Sequence, residues 1–126
     1  MDKSEWLAST IEEAIDPDEE IVDPHHHLWD FPTWTYLLPD LHLDTGSSHN
    51  VAQTVFVECS AEYKDDGPEH LRPVGEIEFV RQQAELSMES DGAEIAGIVG
   101  FADLARGEAV EEVLAAQDAA GGGRFR

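Results

Sequence analysis

The chain has 126 residues, 41% of them apolar, enough for one domain with a core, and its 28 acidic against 7 basic residues give a net charge of −21. Such a charge repels nucleic acid and anionic membrane surfaces and excludes both as partners. Nowhere do 18 apolar residues run together, which excludes a membrane span, and the single cysteine, Cys59, excludes an internal disulfide.

Only Lys3 and Lys64 are lysines. An acid-rich, lysine-poor surface around an ordinary apolar fraction fits a protein adapted to high salt, where screening removes the self-repulsion. The start, Met1 to Glu5, has one lysine between acids and lacks the basic start and apolar run of a signal peptide, so the cytoplasm is the expected location.

In chain order, Ser4 is placed to cap a helix whose apolar positions Leu7, Ile11, Ala14 and Ile15 fall on one face and which Asp16-Pro17 ends. Residues 1–19 thus read as a lead-in helix and turn. The rest is organised around Ile21-Val22-Asp23-Pro24-His25-His26-His27-Leu28-Trp29-Asp30. Alternation along an extended segment puts Asp23, His25 and His27 on one face and His26 on the other. Two imidazoles on one face, roughly 7 Å apart at their Cα atoms, can converge on one metal ion at about 2.0–2.1 Å per bond. Pro24 has no N–H to give to a central ladder, so the histidines belong at the strand's carboxyl end, where α/β proteins place their chemistry.

Residues 31–50, rich in aromatics and proline, read as a long irregular loop over the mouth of the site; within it, His42 and His49 read as surface or capping residues rather than ligands. A second strand over 53–58 has the near-continuous apolar run of a parallel strand covered on both faces. Glu58, at its carboxyl end, is by position the candidate substrate-binding residue, with a salt bridge at the rim as the plainer reading. A loop with the turn signal Asp65-Asp66-Gly67-Pro68 leads to Pro73, which opens a helix with Ile77, Val80, Ala84 and Met88 on one face. Asp91-Gly92 stops it. A third strand covers 95–101. A second main helix covers 108–120, with Val110, Val113 and Leu114 toward the sheet and Glu108, Glu111 and Glu112 at its positive end. Gly121-Gly122-Gly123 ends that helix in the left-handed region, and Arg124-Phe125-Arg126 reads as the start of a fourth strand. Strand and helix alternate as in parallel βαβ units.

Asp23-x-His25-x-His27 on a first strand, with Tyr36-Leu37-Leu38-Pro39-Asp40, Thr54-Val55-Phe56-Val57-Glu58 and Gly97-Ile98-Val99-Gly100-Phe101-Ala102-Asp103-Leu104, resembles the amidohydrolase-2 branch of the amidohydrolase superfamily from about Glu20 onward. The resemblance implies an α/β fold of the TIM-barrel type. A (β/α)₈ barrel needs about 250 residues, so 20–126 would be its amino-terminal part: parallel strands one to three and the start of strand four, incomplete. It further implies that His25 and His27 hold one divalent ion, commonly zinc, with more histidines and a general-base aspartate supplied by later strands. Some lactonases of the branch keep the histidines and use no metal. The implied activity is metal-dependent hydrolysis of a small-molecule lactone or ring-derived carboxylate. No catalytic base falls within these residues, and this piece alone would be inactive. Open edges of an incomplete barrel would favour aggregation or a homo-oligomer. The reading from another class is an autonomous, non-catalytic α/β binding module, or a pseudogene product. Coding sequence that continues past Arg126 with further strand-end histidines would separate the two.

Overall fold

A computed structural model describes residues 2–126. Helix α1 (Lys3–Ala8) is followed by β1 (Glu20–His26), an antiparallel pair β2 (Trp29–Phe31) and β3 (Trp34–Tyr36), α2 (Leu38–Thr45), β4 (Asn50–Val57), α3 (Val74–Met88), β5 (Glu94–Val99) and α4 (Val110–Gly121). Short 3₁₀ turns precede α3 and α4, at Glu69–Leu71 and Leu104–Ala109.

The expectation of a partial TIM barrel is corrected by this architecture. The chain is a small α/β domain whose parallel sheet has three strands, in the order β1-β4-β5, beside a separate two-stranded antiparallel sheet. Successive strands are therefore not successive parallel strands of a barrel. The physical reason lies in residues 29–36, where aromatic residues alternate with Asp30 and Thr35 on either side of Pro32-Thr33. Trp29 stands opposite Tyr36, and Phe31 opposite Trp34. Cross-strand aromatic pairs contribute about 0.2–1 kcal/mol each, and they fold the segment after β1 back on itself. The residues expected to open a fourth strand make only one isolated parallel bridge, Phe125 to Ile98.

The amino-terminal helix is shorter than its apolar spacing suggests. Asp2, not Ser4, caps it: its carboxylate accepts the Glu5 N–H at 2.8 Å, and the Glu5 carboxylate accepts the Asp2 N–H at 3.1 Å. Beyond Ala8 the helix stops, leaving Ile11 and Ile15 exposed. A helix that short is marginal by itself, and no surface covers this stripe to extend it.

Packing concentrates on one face of the sheet. Thr54 and Phe56 of β4 are fully buried while Val55 and Val57 are half-buried, so β4 is covered on one side rather than both. The covering residues are Leu38 and Leu41 of α2 with Ile77, Val80 and Ala84 of α3, the last three as the helical spacing predicts. Met88, expected on that stripe, is 62% exposed; Ser87 is buried in its place. Ser87 Oγ donates to the Ala84 carbonyl at 2.7 Å and accepts the Ile95 N–H at 3.0 Å, tying the end of α3 to β5. Gly122, at φ 58° and ψ 38°, ends α4 in the left-handed conformation. β1 pairs with β4 alone and is an edge strand, which is where Pro24 is tolerated. Among the described residues no helix is long and apolar enough to cross a membrane.

Candidate functional site

The carboxyl ends of the parallel strands bring His25 and His27 together. Their Nε2 atoms lie 3.2 Å apart, and the rings meet edge-on at 87°. His27 is anchored by its other nitrogen, Nδ1, 2.7 Å from the Val57 carbonyl of β4. A carbonyl only accepts, so Nδ1 carries a hydrogen and donates it, and Nε2 is left facing His25.

Asp23 does not join them. The pairing of β1 with β4 shifts register between Asp23 and His26, so the alternation expected to align Asp23 with both histidines is broken there. Its Oδ1 instead accepts the backbone N–H of His25 at 3.0 Å. His26 turns inward, 7% exposed, with its ring edge-on to Phe56 at 5.8 Å. Neither of its ring nitrogens has a partner, and burial lowers its pKa to about 4. A charged imidazolium is disfavoured in that position.

Two ligands at about 2.0–2.1 Å on a tetrahedral ion stand roughly 3.3 Å apart. The 3.2 Å separation of the two Nε2 atoms fits that spacing, and the hydrogen bond from Nδ1 to a carbonyl is the support a ligating histidine ordinarily has. The pair supplies two positions and no more. Among the described residues no group of three or more His, Cys, Asp or Glu side chains converges as a metal site.

Glu58 follows directly after β4. Its backbone N–H donates to the Val99 carbonyl at 2.9 Å, and its Oε2 accepts the Tyr63 hydroxyl at 3.2 Å. Burial, with the Glu58 charge adding to it, raises the Tyr63 hydroxyl to about 12, so Tyr63 stays a donor. Glu58 is half-buried and has a hydrogen-bonding partner of its own. His42 and His49 lie toward the opposite, amino end of the strands: His42 Nε2 contacts the Ala93 carbonyl at 3.0 Å and His49 Nδ1 contacts Ser48 Oγ at 3.0 Å.

The residue that sequence reasoning missed is Glu76. It is 1% exposed on the buried face of α3. Its Oε1 accepts the Cys59 N–H at 3.2 Å and its Oε2 accepts the Ala61 N–H at 2.7 Å, which pins the segment leaving β4. That segment turns through Ser60 at φ 60°, a left-handed conformation unusual outside glycine. The signal was in the spacing: Glu76, Val80 and Ala84 share one helical stripe, and an acid on such a stripe requires donors from elsewhere in the fold.

Glu76 also bears on Cys59. Burial, then the Glu76 charge, pushes the thiol up to about 11. Cys59 is therefore an inert thiol at neutral pH, not a nucleophile. Alkylation by iodoacetamide should be slow at pH 8 and speed up about tenfold per pH unit until pH approaches 11. Rapid labelling of Cys59 at pH 8 in the folded protein would contradict this.

Beside these residues lies a cavity of about 740 Å³, bounded by the loop after β4 and the segment after β5 and lined by Tyr63, Arg72 and Arg106 among others. His25 and His27 are not part of its lining. Comparison with family models, curated proteins and solved structures gave no match.

Proposed function

We propose that His25 and His27 are two ligands of a divalent metal centre, zinc by the resemblance to the amidohydrolase-2 branch, in a metal-dependent hydrolase that acts on a small lactone or ring-derived carboxylate in the cytoplasm. The observation that carries this is the 3.2 Å approach of the two Nε2 atoms with His27 held by the Val57 carbonyl. The first-strand resemblance to the amidohydrolase-2 branch supports the same chemistry. Bound there, the ion would supply a water acidified to a pKa of about 7 and a Lewis acid for a carbonyl oxygen.

The chain's own residues orient this centre. The Val57 carbonyl fixes the His27 ring, and Trp29, whose ring is 5.4 Å from that of His27, starts an aromatic surface that continues to Trp34 at 5.0 Å. A flat substrate ring can stack there. Among the described residues the pair meets no third ligand, so the chain by itself is expected to be inactive.

Zinc titration of the chain and its variants tests the assignment. His25→Ala and His27→Ala should each weaken zinc binding by tenfold or more, while His26→Leu leaves it unchanged. Equal losses in all three variants, or no loss in the first two, would sink it. The second reading, a non-catalytic α/β binding module, is favoured by the cavity that stands apart from the histidine pair.

A further inference from the structure

We propose that the cavity of about 740 Å³ beside the carboxyl ends of β4 and β5 is a binding site for a phosphate ester of a polyhydroxylated small molecule, its phosphoryl group held by Arg72 and Arg106. This stands independently of the metal reading, because the histidines do not line the cavity.

The argument begins with charge. The chain has 28 acidic residues against 7 basic ones, so a place where two arginines line one cavity stands out. Among the described residues the ion pairs are Lys64–Glu78 and Arg81–Glu85, and His70 Nε2 contacts Glu112 Oε2. Arg72, Arg106, Arg124 and Arg126 appear in none of them, and of these four Arg72 and Arg106 line this cavity. Arg72 Nε is moreover buried without any hydrogen-bond partner. A guanidinium cannot shed its proton to escape that state, and an unpaired buried donor is unfavourable. The outer N–H groups of a guanidinium fork have the paired geometry that phosphoryl oxygens match, which suits Arg72 and Arg106 to an oxyanion in the cavity.

The rest of the lining sets the class of ligand. Lys64 also lines the cavity but is paired with Glu78, and the two remaining fixed positive charges match a phosphate monoester, which carries about −1.5 to −2 at pH 7. Asp65, Glu69 and Asp103 also line the cavity. Carboxylates only accept hydrogen bonds and would repel a bare anion, so they call for hydroxyl donors on the same ligand. Asp103 already uses Oδ1 to accept the Ala105 N–H at 3.0 Å, leaving its second oxygen for this. A phosphate at one end and hydroxyls at the other satisfies both sets. The volume falls within the roughly 300–1,000 Å³ of small-molecule sites.

Calorimetric titration of the 126-residue chain in 1 M potassium chloride tests the proposal, since that salt suppresses long-range field effects. The probes are glucose 6-phosphate, inorganic phosphate, glucose and malonate. Glucose 6-phosphate is expected to bind best and inorganic phosphate more weakly, with no heat from glucose or malonate. Arg106→Gln and Arg72→Lys should each lower the affinity for glucose 6-phosphate at least tenfold, and Lys3→Gln, outside the cavity, should not change it. Both arginine variants would be checked by thermal melt, and Arg106→Gln decides alone if Arg72→Lys does not fold. The proposal is overturned if neither phosphate binds, if malonate matches inorganic phosphate, or if inorganic phosphate matches the sugar phosphate. Insensitivity to both arginine substitutions, or an equal loss in Lys3→Gln, overturns it as well.

Discussion

Glu76→Ala is expected to destabilise the fold by about 3–5 kcal/mol, a large part of the 5–15 kcal/mol that holds a typical domain together. The wild-type carboxylate, 1% exposed, accepts the N–H groups of Cys59 and Ala61. Alanine leaves both donors without a partner, at about 1–3 kcal/mol each, and opens a cavity where the side chain was. Burying an acid is itself unfavourable, and exchanging a whole buried polar pair for apolar groups can be neutral. That offset does not apply here, because the backbone donors remain. Glu76→Gln keeps one acceptor oxygen but turns an amide N–H₂ toward the second donor, so an intermediate loss is expected. Urea unfolding followed by circular dichroism measures both variants. An alanine variant within about 1 kcal/mol of wild type, with an unchanged denaturant slope, would show that these donors are satisfied some other way.

The folded state is expected to gain stability steeply with salt, its thermal midpoint rising by roughly 10 °C or more between 0.1 M and 1 M potassium chloride. Two like charges 10 Å apart in water repel by about 0.4 kcal/mol, and a net charge of −21 makes many such pairs. Local ion pairs hardly relieve this: among the described residues only Lys64–Glu78 and Arg81–Glu85 pair fixed charges, all four side chains exposed. Unfolding moves the charges apart, so repulsion weighs on the compact state. The screening length falls from about 10 Å at 0.1 M to about 3 Å at 1 M, removing most of it. Relief of only about 2–3 kcal/mol raises the midpoint of a small domain by roughly 10–15 °C. Replacing exposed acids away from ion pairs, as in Asp118→Lys, should raise the midpoint in dilute buffer and flatten the salt response. A midpoint that stays level as potassium chloride rises would refute the salt-adapted reading.

Several features needed only the sequence. The helix after Pro73 and its Ile77-Val80-Ala84 stripe follow from local spacing, as does the glycine stop at Gly122. The parallel pairing of the three main strands follows from their separation by long connections. The meeting of His25 and His27 follows from their two-residue spacing, since one strand carries both. The hairpin of residues 29–36 was legible too, in the aromatic alternation about Pro32-Thr33, but the expectation of a barrel loop masked it.

What only the tertiary structure decided depends on partners distant in the chain. The extent of α1 is set by a surface that is absent, so an amphipathic pattern through Ile15 yields a helix ending at Ala8. The fate of Asp23 turns on a register shift against β4, which no pattern within β1 encodes. The orientation of His27 requires the Val57 carbonyl thirty residues away, and the role of Glu76 requires the backbone donors of Cys59 and Ala61. The cavity between the loops after β4 and β5, with two arginines left unpaired, exists because the parallel sheet sets those strand ends side by side. Periodicity reports which face of an element is apolar; hydrogen bonds between elements and the space between loops arise only once the elements are packed.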